Sequence, residues 1–262
     1  MKILNGADIA GYMKENQAHQ VRALQSRKIQ PKLVIIRDND SPVIKTYVHL
    51  KQLYGNDIGV VVEDRQTAEI EKAILEANQD PSVHGIIVQL PLEHEYDLDQ
   101  VFSQILPKKD VDGLGGSRIF ESATATAINW LLASYDIELS RTKIALVGRG
   151  RLIGKPLFKM WQDSGYDVSV FHRGDDLSKL KDFGVIISAT GSPHLIKSEM
   201  ISSGTVIVDA GTASEGGVLV GDVDDQVRER SDLLAITPKI GGVGPLTVTA
   251  LFEHVLQATK EA

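Results

Sequence analysis

The sequence predicts an α/β protein that has two domains and mostly parallel sheets. Short apolar runs with the length of buried strands alternate with stretches of helical periodicity throughout the 262 residues. This alternation occurs in two series, which a Gly-rich segment at Gly115–Ser117 separates. A chain of this length is long enough for two modest domains. We predict that the first domain covers 1–117 together with a C-terminal helix at 246–262, and that the second covers 118–245.

The first series consists of a helix followed by three strand–helix units. Apolar periodicity with Asp8 near its start predicts the opening helix at Ala7–Lys28, and Pro42 suits the beginning of the next helix. The predicted strands are Lys32–Arg37, Ile58–Glu63 and Gly85–Gln89, and the predicted helices are Val43–Asn56, Thr67–Asn78 and Leu98–Leu106.

The second series begins with a predicted linking helix at Ser122–Tyr135. The predicted strands that follow are Ile144–Val147, Asp167–Phe171, Val185–Ala189, Thr205–Ala210 and Leu233–Ile236. The predicted helices are Ile153–Ser164, Leu177–Lys181 and Leu246–Ala258. Strands that alternate with helices in this way favour a parallel sheet.

Composition and charge exclude several classes of protein. The net charge of −7 disfavours a general nucleic-acid-binding surface. The chain has no cysteine, which excludes disulfides, thiolate metal sites and cysteine nucleophiles. The first residues lack the apolar core of a signal peptide, no apolar run approaches the length of a membrane span, and the histidines show no metal-ligand spacing. We expect a cytoplasmic enzyme or binding protein that has no membrane, nucleic-acid or metal partner.

Tyr47 and Lys51 form the first candidate catalytic pair. They are four residues apart on a predicted helix and therefore share one face. Partial burial lowers the pKa of a lysine toward neutrality, so a phenol and an amine that line a cleft can act as an acid/base pair. The alternative is a half-exposed tyrosine beside a solvated lysine.

Polar residues that follow the predicted strand at Gly85–Gln89 are further candidates. Gln89 is the first polar residue after this apolar run, and ligands of α/β folds bind outside the carboxyl ends of the strands. Asp110 and Asp112 flank Val111, so they point to the same side if the segment is extended. A carboxylate there accepts the paired donors of an amino-heterocycle. The alternative for Gln89 is a side chain that caps its own turn, and the alternative for the two aspartates is a plain turn.

A glycine turn follows the strand predicted at Ile144–Val147. Gly148-Arg149-Gly150 and Gly154 separate this strand from a helix, which presents backbone N–H groups and a helix N-terminus to a phosphate. The spacing is one residue longer than the usual dinucleotide fingerprint, and a turn without a ligand is the alternative.

Three further segments extend this candidate dinucleotide site. His172-Arg173 ends the next predicted strand, where an NAD-binding domain usually has an acid for the ribose. Positive charge there suits the 2′-phosphate of NADP, and surface charge is the alternative. Small residues at Ala189-Thr190-Gly191 let a flat ring or a ribose approach the backbone. The Gly/Pro turn at Thr237–Thr247 offers successive N–H groups to an oxygen ligand. For each of the last two segments a plain loop is the alternative.

Together, four stretches resemble the bifunctional methylenetetrahydrofolate dehydrogenase/cyclohydrolase family. They are Tyr47-Val48-x-x-Lys51, Gly85–Leu92 with Lys109–Gly113, Gly148-Arg149 through Gly154-x-Pro156, and Gly241–Pro245 with Thr247. Their order, spacing and joint presence make the resemblance specific, and it extends over nearly the whole chain.

The resemblance implies an N-terminal catalytic domain that binds folate, a C-terminal Rossmann-type domain that binds NAD(P), and a cleft between them. Lys51 is then the acid/base residue at the one-carbon bridge of the folate, and Gln89 hydrogen-bonds it. Tyr47 lies against the folate, and Asp112 accepts hydrogen bonds from the pterin ring. The other implied folate contacts are Leu90, Pro91, Gly241, Gly242 and Pro245.

The implied reaction is the oxidation of 5,10-methylenetetrahydrofolate by NADP, rather than NAD, followed by hydrolysis of the methenyl product to 10-formyltetrahydrofolate. The implied cofactor contacts are Gly148, Arg149, Gly150, Ile153, Gly154, His172, Arg173, Ala189, Thr190 and Gly191. The resemblance also implies a homodimer and no metal.

The chain departs from the family pattern at several positions. Ser122–Ala125 replaces a segment with two prolines, Gly150 replaces a serine in the cofactor turn, Ile44 replaces a small polar residue, and Lys239-Ile240 replaces Val-Pro. These changes leave open a relative that retains one of the two activities, or a folate- or nucleotide-binding module without turnover.

Overall fold

The structure is a computed structural model that describes residues 1–117, 119–215 and 218–261. It divides into two compact units. The six-strand unit, named for its main sheet, comprises Met1–Ala10 and Thr124–Thr247, and the three-strand unit comprises Gly11–Ala123 and Val248–Ala262. Residues 118 and 262, where the predicted second domain begins and the predicted C-terminal helix ends, lie outside the described residues. The two predicted domain ranges stay a prediction.

The helices and strands are numbered here in chain order. The strands are β1 (Lys2–Ile3), β2 (Lys32–Arg37), β3 (Val61–Gln66), β4 (Gly85–Val88), β5 (Ile144–Val147), β6 (Val168–Phe171), β7 (Val185–Ser188), β8 (Val206–Asp209), β9 (Ala213–Glu215), β10 (Val218–Val220) and β11 (Ala235–Ile236). The helices are α1 (Gly6–Ser26), α2 (Pro42–Ile58), α3 (Ile70–Gln79), α4 (Leu98–Ser103), α5 (Ala123–Ser134), α6 (Gly154–Asp163), α7 (Asp225–Arg228) and α8 (Val243–Lys260). Short 3₁₀ helices lie at Pro107–Lys109, Leu177–Asp182 and Ser198–Met200.

The three-strand unit contains a parallel sheet in the order β3-β2-β4. The central strand β2 is nearly continuous in buried apolar residues, as expected for a parallel strand that is covered on both faces. One core cluster of this unit includes Val34, Ile36, Ile74, Ile86, Val101 and Phe102. The carboxyl ends of β2 and β4 therefore lie side by side at one edge of the sheet.

The six-strand unit contains a parallel sheet in the order β1-β11-β8-β7-β5-β6. Strands β5 and β7 are buried throughout. A core cluster of this unit includes Ala145, Val147, Ile186, Ile196, Ile207 and Ile236. Strands β9 and β10 form a separate antiparallel pair. The predicted α/β class with parallel sheets is confirmed.

Several predicted elements are wrong in position or type. The strand predicted at Ile58–Glu63 begins later, because Ile58 is still the last helical residue of α2 and packs in its buried face. Gly59 then ends this helix with a φ of 87°, which favours glycine. The segment at Leu177–Lys181 is a 3₁₀ helix, and the last helix begins at Val243, before the predicted Leu246.

The sequence pattern also missed short elements. Strand β1 has two residues and pairs with β11, more than 200 residues later, so no local pattern marks it. The β9–β10 pair and α7 are similarly short. Among the described residues, no helix is long and apolar enough to span a membrane.

Candidate functional site

Helix α2 positions Tyr47 and Lys51 as predicted, one turn apart and both half-buried. Pro42 lies in the first turn of this helix, where its missing N–H is not needed. Ile44 and Val48 anchor the buried side of α2. The Lys51 Nζ donates a hydrogen bond to the Oε1 atom of Gln89 at 2.9 Å. The structure therefore joins two of the predicted catalytic residues directly.

Gln89 follows β4 and is fixed by two further hydrogen bonds. Its backbone N–H donates to the carbonyl of Ile36 on β2 at 2.9 Å. Its Nε2 donates to the carbonyl of Leu90 at 2.9 Å, and the Leu90-Pro91 peptide bond is cis. Because the amide nitrogen is engaged by Leu90, the amide oxygen is left to face Lys51.

The pKa values of Lys51 and Asp112 are both shifted in the direction that favours the neutral side chain. Burial lowers the pKa of the Lys51 ammonium, and the negative charge of Asp112 opposes this effect. Burial raises the pKa of Asp112 to about 6, the charge of Lys51 lowers it, and the charge of Asp110 raises it. An amine with a depressed pKa can exchange a proton near neutral pH, which is the property that an acid/base residue needs.

The segment that carries Asp112 runs beside β4. Asp110 forms a parallel bridge with Ile86, so this segment continues the edge of the three-stranded sheet. Gly85 permits this approach, since a Cβ atom there would lie 2.9 Å from the Val111 side chain. The carbonyl of Val111 accepts a hydrogen bond from the Nδ1 atom of His254 at 2.8 Å.

Asp110 and Asp112 have different roles in this segment. The Asp110 carboxylate is buried and accepts hydrogen bonds from the backbone N–H groups of Leu114, at 3.3 Å, and Gly115, at 2.8 Å. It therefore caps its own turn. Asp112 is the carboxylate that interacts with Lys51.

The glycine turn after β5 has the close packing of a dinucleotide site. Gly148 has a φ of 96°, and a Cβ atom there would lie 2.6 Å from the carbonyl of Ala189. A Cβ atom on Gly154, the first residue of α6, would lie 2.2 Å from the carbonyl of Gly148. Two glycines are thus required for the tight turn and for the approach of helix to strand. A Cβ at Gly150 would meet open space.

A cavity of about 610 Å³ opens at the ends of β5, β6 and β7. Among its lining residues are the predicted cofactor contacts Gly148, Arg149, Gly150, His172, Arg173, Ala189 and Thr190. Ile153, Gly154 and Gly191 are not part of the lining. Asp175 also lines the cavity, and its carboxylate accepts a hydrogen bond from the backbone N–H of His172 at 2.7 Å. The three predicted segments therefore converge on one concave surface.

Asp222 supports the part of this cavity that follows β7. It is fully buried, and its Oδ2 atom accepts hydrogen bonds from the Ser188 hydroxyl and the Thr190 backbone N–H, both at 2.7 Å. Within the described residues, its Oδ1 atom has no hydrogen-bond partner. Asp222 therefore holds the small-residue turn at Ala189-Thr190 in place.

Comparison with known families assigns both parts of the chain. Residues 4–112 match the model of the tetrahydrofolate dehydrogenase/cyclohydrolase catalytic domain, and residues 122–262 match that of the NAD(P)-binding domain of the same family.

The chain belongs to the tetrahydrofolate dehydrogenase/cyclohydrolase family. The predicted resemblance is confirmed. The bifunctional protein FolD of Lactobacillus helveticus is 35% identical over 277 residues, which cover 99% of this chain and 98% of that protein. The crystal structure of the bifunctional FolD enzyme of Campylobacter jejuni matches with a TM-score of 0.93 at 32% identity, covering 100% of this chain and 99% of that one. The Trypanosoma brucei FolD structure, a complex with NADP and an inhibitor, matches with a TM-score of 0.91 at 28% identity, covering 99% and 97%.

The residues predicted from the family motifs fall in both units. The folate-site predictions Tyr47, Lys51, Gln89, Leu90, Pro91 and Asp112 lie in the three-strand unit. Gly241, Gly242, Pro245 and the cofactor predictions lie in the six-strand unit. Gly241 has a φ of 87°, and its carbonyl accepts the Ala7 N–H at 3.0 Å, so this turn is packed against the start of α1.

Sequence reasoning missed several charged residues at the ends of strands in this family member. Arg37 and Asp38 end β2 and begin its turn, Asp209 ends β8, and Asp222 follows β10. All four are buried or half-buried. The signal that could have found them is a charged residue directly after an apolar strand, where burial requires a partner.

Proposed function

We propose that the protein oxidises 5,10-methylenetetrahydrofolate with NADP and hydrolyses the resulting 5,10-methenyltetrahydrofolate to 10-formyltetrahydrofolate. The observation that carries this proposal is the grouping of Lys51 on α2 with Gln89, which follows β4, and with the Asp112 carboxylate. The names of the relatives, which describe bifunctional FolD proteins, support both activities.

Lys51 is the proposed acid/base residue. The neutral amine, which its burial favours, can take a proton from the water that attacks the methenyl carbon. The resulting ammonium can return a proton to the nitrogen that leaves when the ring opens. Gln89 accepts a hydrogen bond from Nζ and so fixes where the amine lies during both transfers.

Asp112 is the proposed contact for the pterin ring, and Tyr47 is the proposed residue that packs against the folate. With a pKa of about 6, Asp112 is largely ionised at neutral pH and can accept two donors of an amino-heterocycle. Tyr47 lies one turn from Lys51 on the same side of α2. Leu90, Pro91, Gly241, Gly242 and Pro245 are further proposed substrate contacts.

The cavity of the six-strand unit fits NADP. When bound, this cofactor supplies the nicotinamide that accepts the hydride. Gly148 and Gly154 give the close backbone approach that a pyrophosphate needs. Arg149, His172 and Arg173 line the cavity and are the proposed partners of the 2′-phosphate, which is why we propose NADP rather than NAD. The remaining proposed contacts are Gly150, Ile153, Ala189, Thr190 and Gly191.

Two assays on matched variants test this proposal. NADP-dependent oxidation of methylenetetrahydrofolate and hydrolysis of methenyltetrahydrofolate are measured for the wild type, Lys51→Met and Lys45→Met. Lys45 lies on the same helix, is exposed and pairs with Asp40, so its substitution controls for the loss of a positive charge on α2. We expect both activities in the wild type and the control, and loss of cyclohydrolase activity in Lys51→Met. Wild-type protein inactive in both assays would contradict the proposed function.

Four further expectations remain proposals of the same kind. They are the domain ranges 1–117 with 246–262 and 118–245, a homodimer, a cytoplasmic location and catalysis without a metal. Light scattering after size exclusion tests the homodimer, and activity after exhaustive treatment with a chelator tests the last.

A further inference from the structure

Asp38 is a buried carboxylate that the proposed chemistry does not use. It follows β2 directly, and its side chain is 1% exposed. It accepts hydrogen bonds from the backbone N–H groups of Glu93, at 2.8 Å, and His94, at 3.0 Å. The Nδ1 atom of the His94 ring lies 2.9 Å from the same carboxylate. A buried carboxylate with several donors is a strong anchor for the segment that supplies them.

The anchored segment is the one that carries Gln89. Gln89 is the first residue of this segment, and its backbone N–H donates a hydrogen bond to the carbonyl of Ile36 on β2. Its last residues are held by Asp38, two positions after Ile36. Between these two points, the carbonyl of Leu90 accepts the hydrogen bond that orients the Gln89 amide. The position of Leu90 therefore depends on both ends being fixed.

Asp38 also begins the turn that leads into α2, the helix of Lys51. The guanidinium of Arg37 holds this turn, since it donates to the carbonyl of Asn39 at 2.9 Å. The same guanidinium makes a bidentate pair with Asp64 on β3, with both distances at 2.9 Å. Asp38 therefore connects two segments. It belongs to the turn that precedes α2, and its carboxylate binds the segment that begins with Gln89.

We propose that Asp38 is a positioning residue for the Lys51–Gln89 pair, acting by fixing the segment from Gln89 to His94. This inference rests on the proposed function of that pair. We take the backbone N–H groups of Glu93 and His94 as the essential contacts, because the His94 side chain is 61% exposed and Asp38 is buried. Burial alone would raise the pKa of Asp38, but these hydrogen bonds hold it below its ordinary value, so the anchor is ionised at neutral pH.

The test compares Asp38→Ala with a matched variant, Asp97→Ala. The Asp97 carboxylate also accepts two backbone N–H groups, those of Asp99 and Gln100, but it does so at the start of α4. We expect Asp38→Ala to lower the cyclohydrolase kcat about 10- to 100-fold, as for other small misplacements of a catalytic group. The control is expected to retain its kcat.

A pH profile and a double variant separate positioning from general destabilisation. Loss of the Gln89 acceptor removes a contact that favours the Lys51 ammonium, so Gln89→Met is expected to move the pH midpoint of kcat downward. Asp38→Ala is expected to move it in the same direction. The double variant is expected to match Gln89→Met alone, because both changes act on one contact. His94→Ala, which keeps the backbone donors, is expected to have a small effect.

Each outcome decides between the alternatives. An Asp38→Ala protein that is less stable but has an unchanged kcat and pH midpoint would overturn the inference, and so would fully additive effects with Gln89→Met. If Asp38→Ala does not fold, Asp38→Asn takes its place, because it keeps one carbonyl acceptor. We expect this variant to show smaller decreases in kcat and in the pH midpoint. An unchanged kcat and pH midpoint in Asp38→Asn would also overturn the inference. If Gln89→Met leaves both activities intact, the proposed role of the pair itself is wrong.

Discussion

Asp112→Asn should make the protein more stable at neutral pH while it weakens folate binding. The pKa of Asp112 is raised from its ordinary 3.8 to about 6 by burial. Since a pKa change of one corresponds to about 1.4 kcal/mol, this rise represents about 3 kcal/mol against the ionised form. An uncharged isostere avoids that cost, and the proposed site loses a charged acceptor.

The pKa of Asp112 in the folded protein determines whether stability rises or falls with pH. Because the folded-state pKa lies above the unfolded one, the folded protein binds the extra proton between pH 3.8 and about 6. The stability contributed by the neutral carboxyl is therefore lost as the pH rises through about 6. Between pH 5 and 7.5 this linkage amounts to about 1.4 kcal/mol, or about 3–6 °C in Tm for a domain of this size. The wild type should lose this much relative to Asp112→Asn.

Calorimetry of the two proteins across this pH range measures the effect. Asp97→Asn is the control, since Asp97 is exposed at the start of α4 and asparagine also caps helices. Folate affinity should fall by about 1–3 kcal/mol in Asp112→Asn. The reasoning would be refuted if the Tm of the wild type and that of Asp112→Asn changed in parallel with pH. It would also be refuted if Asp112→Asn were less stable than the wild type at pH 7.5.

Three other substitutions test other parts of the molecule. Arg173→Ala should weaken the binding of NADP by about 1–3 kcal/mol and leave the binding of NAD unchanged in calorimetric titrations. Equal losses of affinity for both cofactors would mean that Arg173 does not contact the 2′-phosphate. Asp222→Ala should lower both Tm and NADP affinity, because it removes the acceptor of the Ser188 hydroxyl and of the Thr190 N–H. A lower Tm with unchanged NADP affinity would limit Asp222 to a structural role. Tyr54→Phe should cost about 1 kcal/mol in urea unfolding, since the Tyr54 hydroxyl donates to Gln17 at 2.8 Å, and it should leave both activities intact; a loss of activity would mean that this contact also shapes the site.

Local sequence patterns predict those strands and helices whose ends are marked by neighbouring turn residues. The run at Ile144–Val147 is a strand with the bounds that the sequence predicts, because an apolar stretch between turn residues is buried on both faces. The pairing of Lys51 with Gln89 was available only through the family resemblance, since 38 residues separate them. Strand β3 was misplaced because Val60 and Val61 continue the apolar run that begins at Ile58, and no local signal says where the helix stops except Gly59.

The contacts that sequence reasoning missed share one physical feature. They join charged residues at or after strand ends to segments that are distant in the chain but adjacent in the fold. Asp38 and His94 are 56 residues apart, Arg37 and Asp64 are 27 apart, and Ser188 and Asp222 are 34 apart. No periodicity in the sequence encodes such a pair, because the partner is set by strand order.

Both units use the same arrangement at the ends of their strands. Asp38, after β2, accepts the N–H groups of two successive residues, Glu93 and His94. Asp209, the last residue of β8, accepts those of Asp222 at 3.0 Å and Val223 at 3.1 Å. In the three-strand unit, the ends of the neighbouring strands β2 and β4 lie about 5 Å apart, so the Asp38 carboxylate can reach the loop that leaves β4. In the six-strand unit, Asp209 reaches the loop that follows β10, a strand outside the main sheet. In the three-strand unit the fixed loop carries Gln89, a residue of the proposed site. In the six-strand unit the fixed loop carries Asp222, whose carboxylate accepts a hydrogen bond from the N–H of Thr190, a proposed cofactor contact. Loops that carry function in α/β proteins gain their precision from such anchors, because the sheet itself fixes only the residues that belong to its ladder.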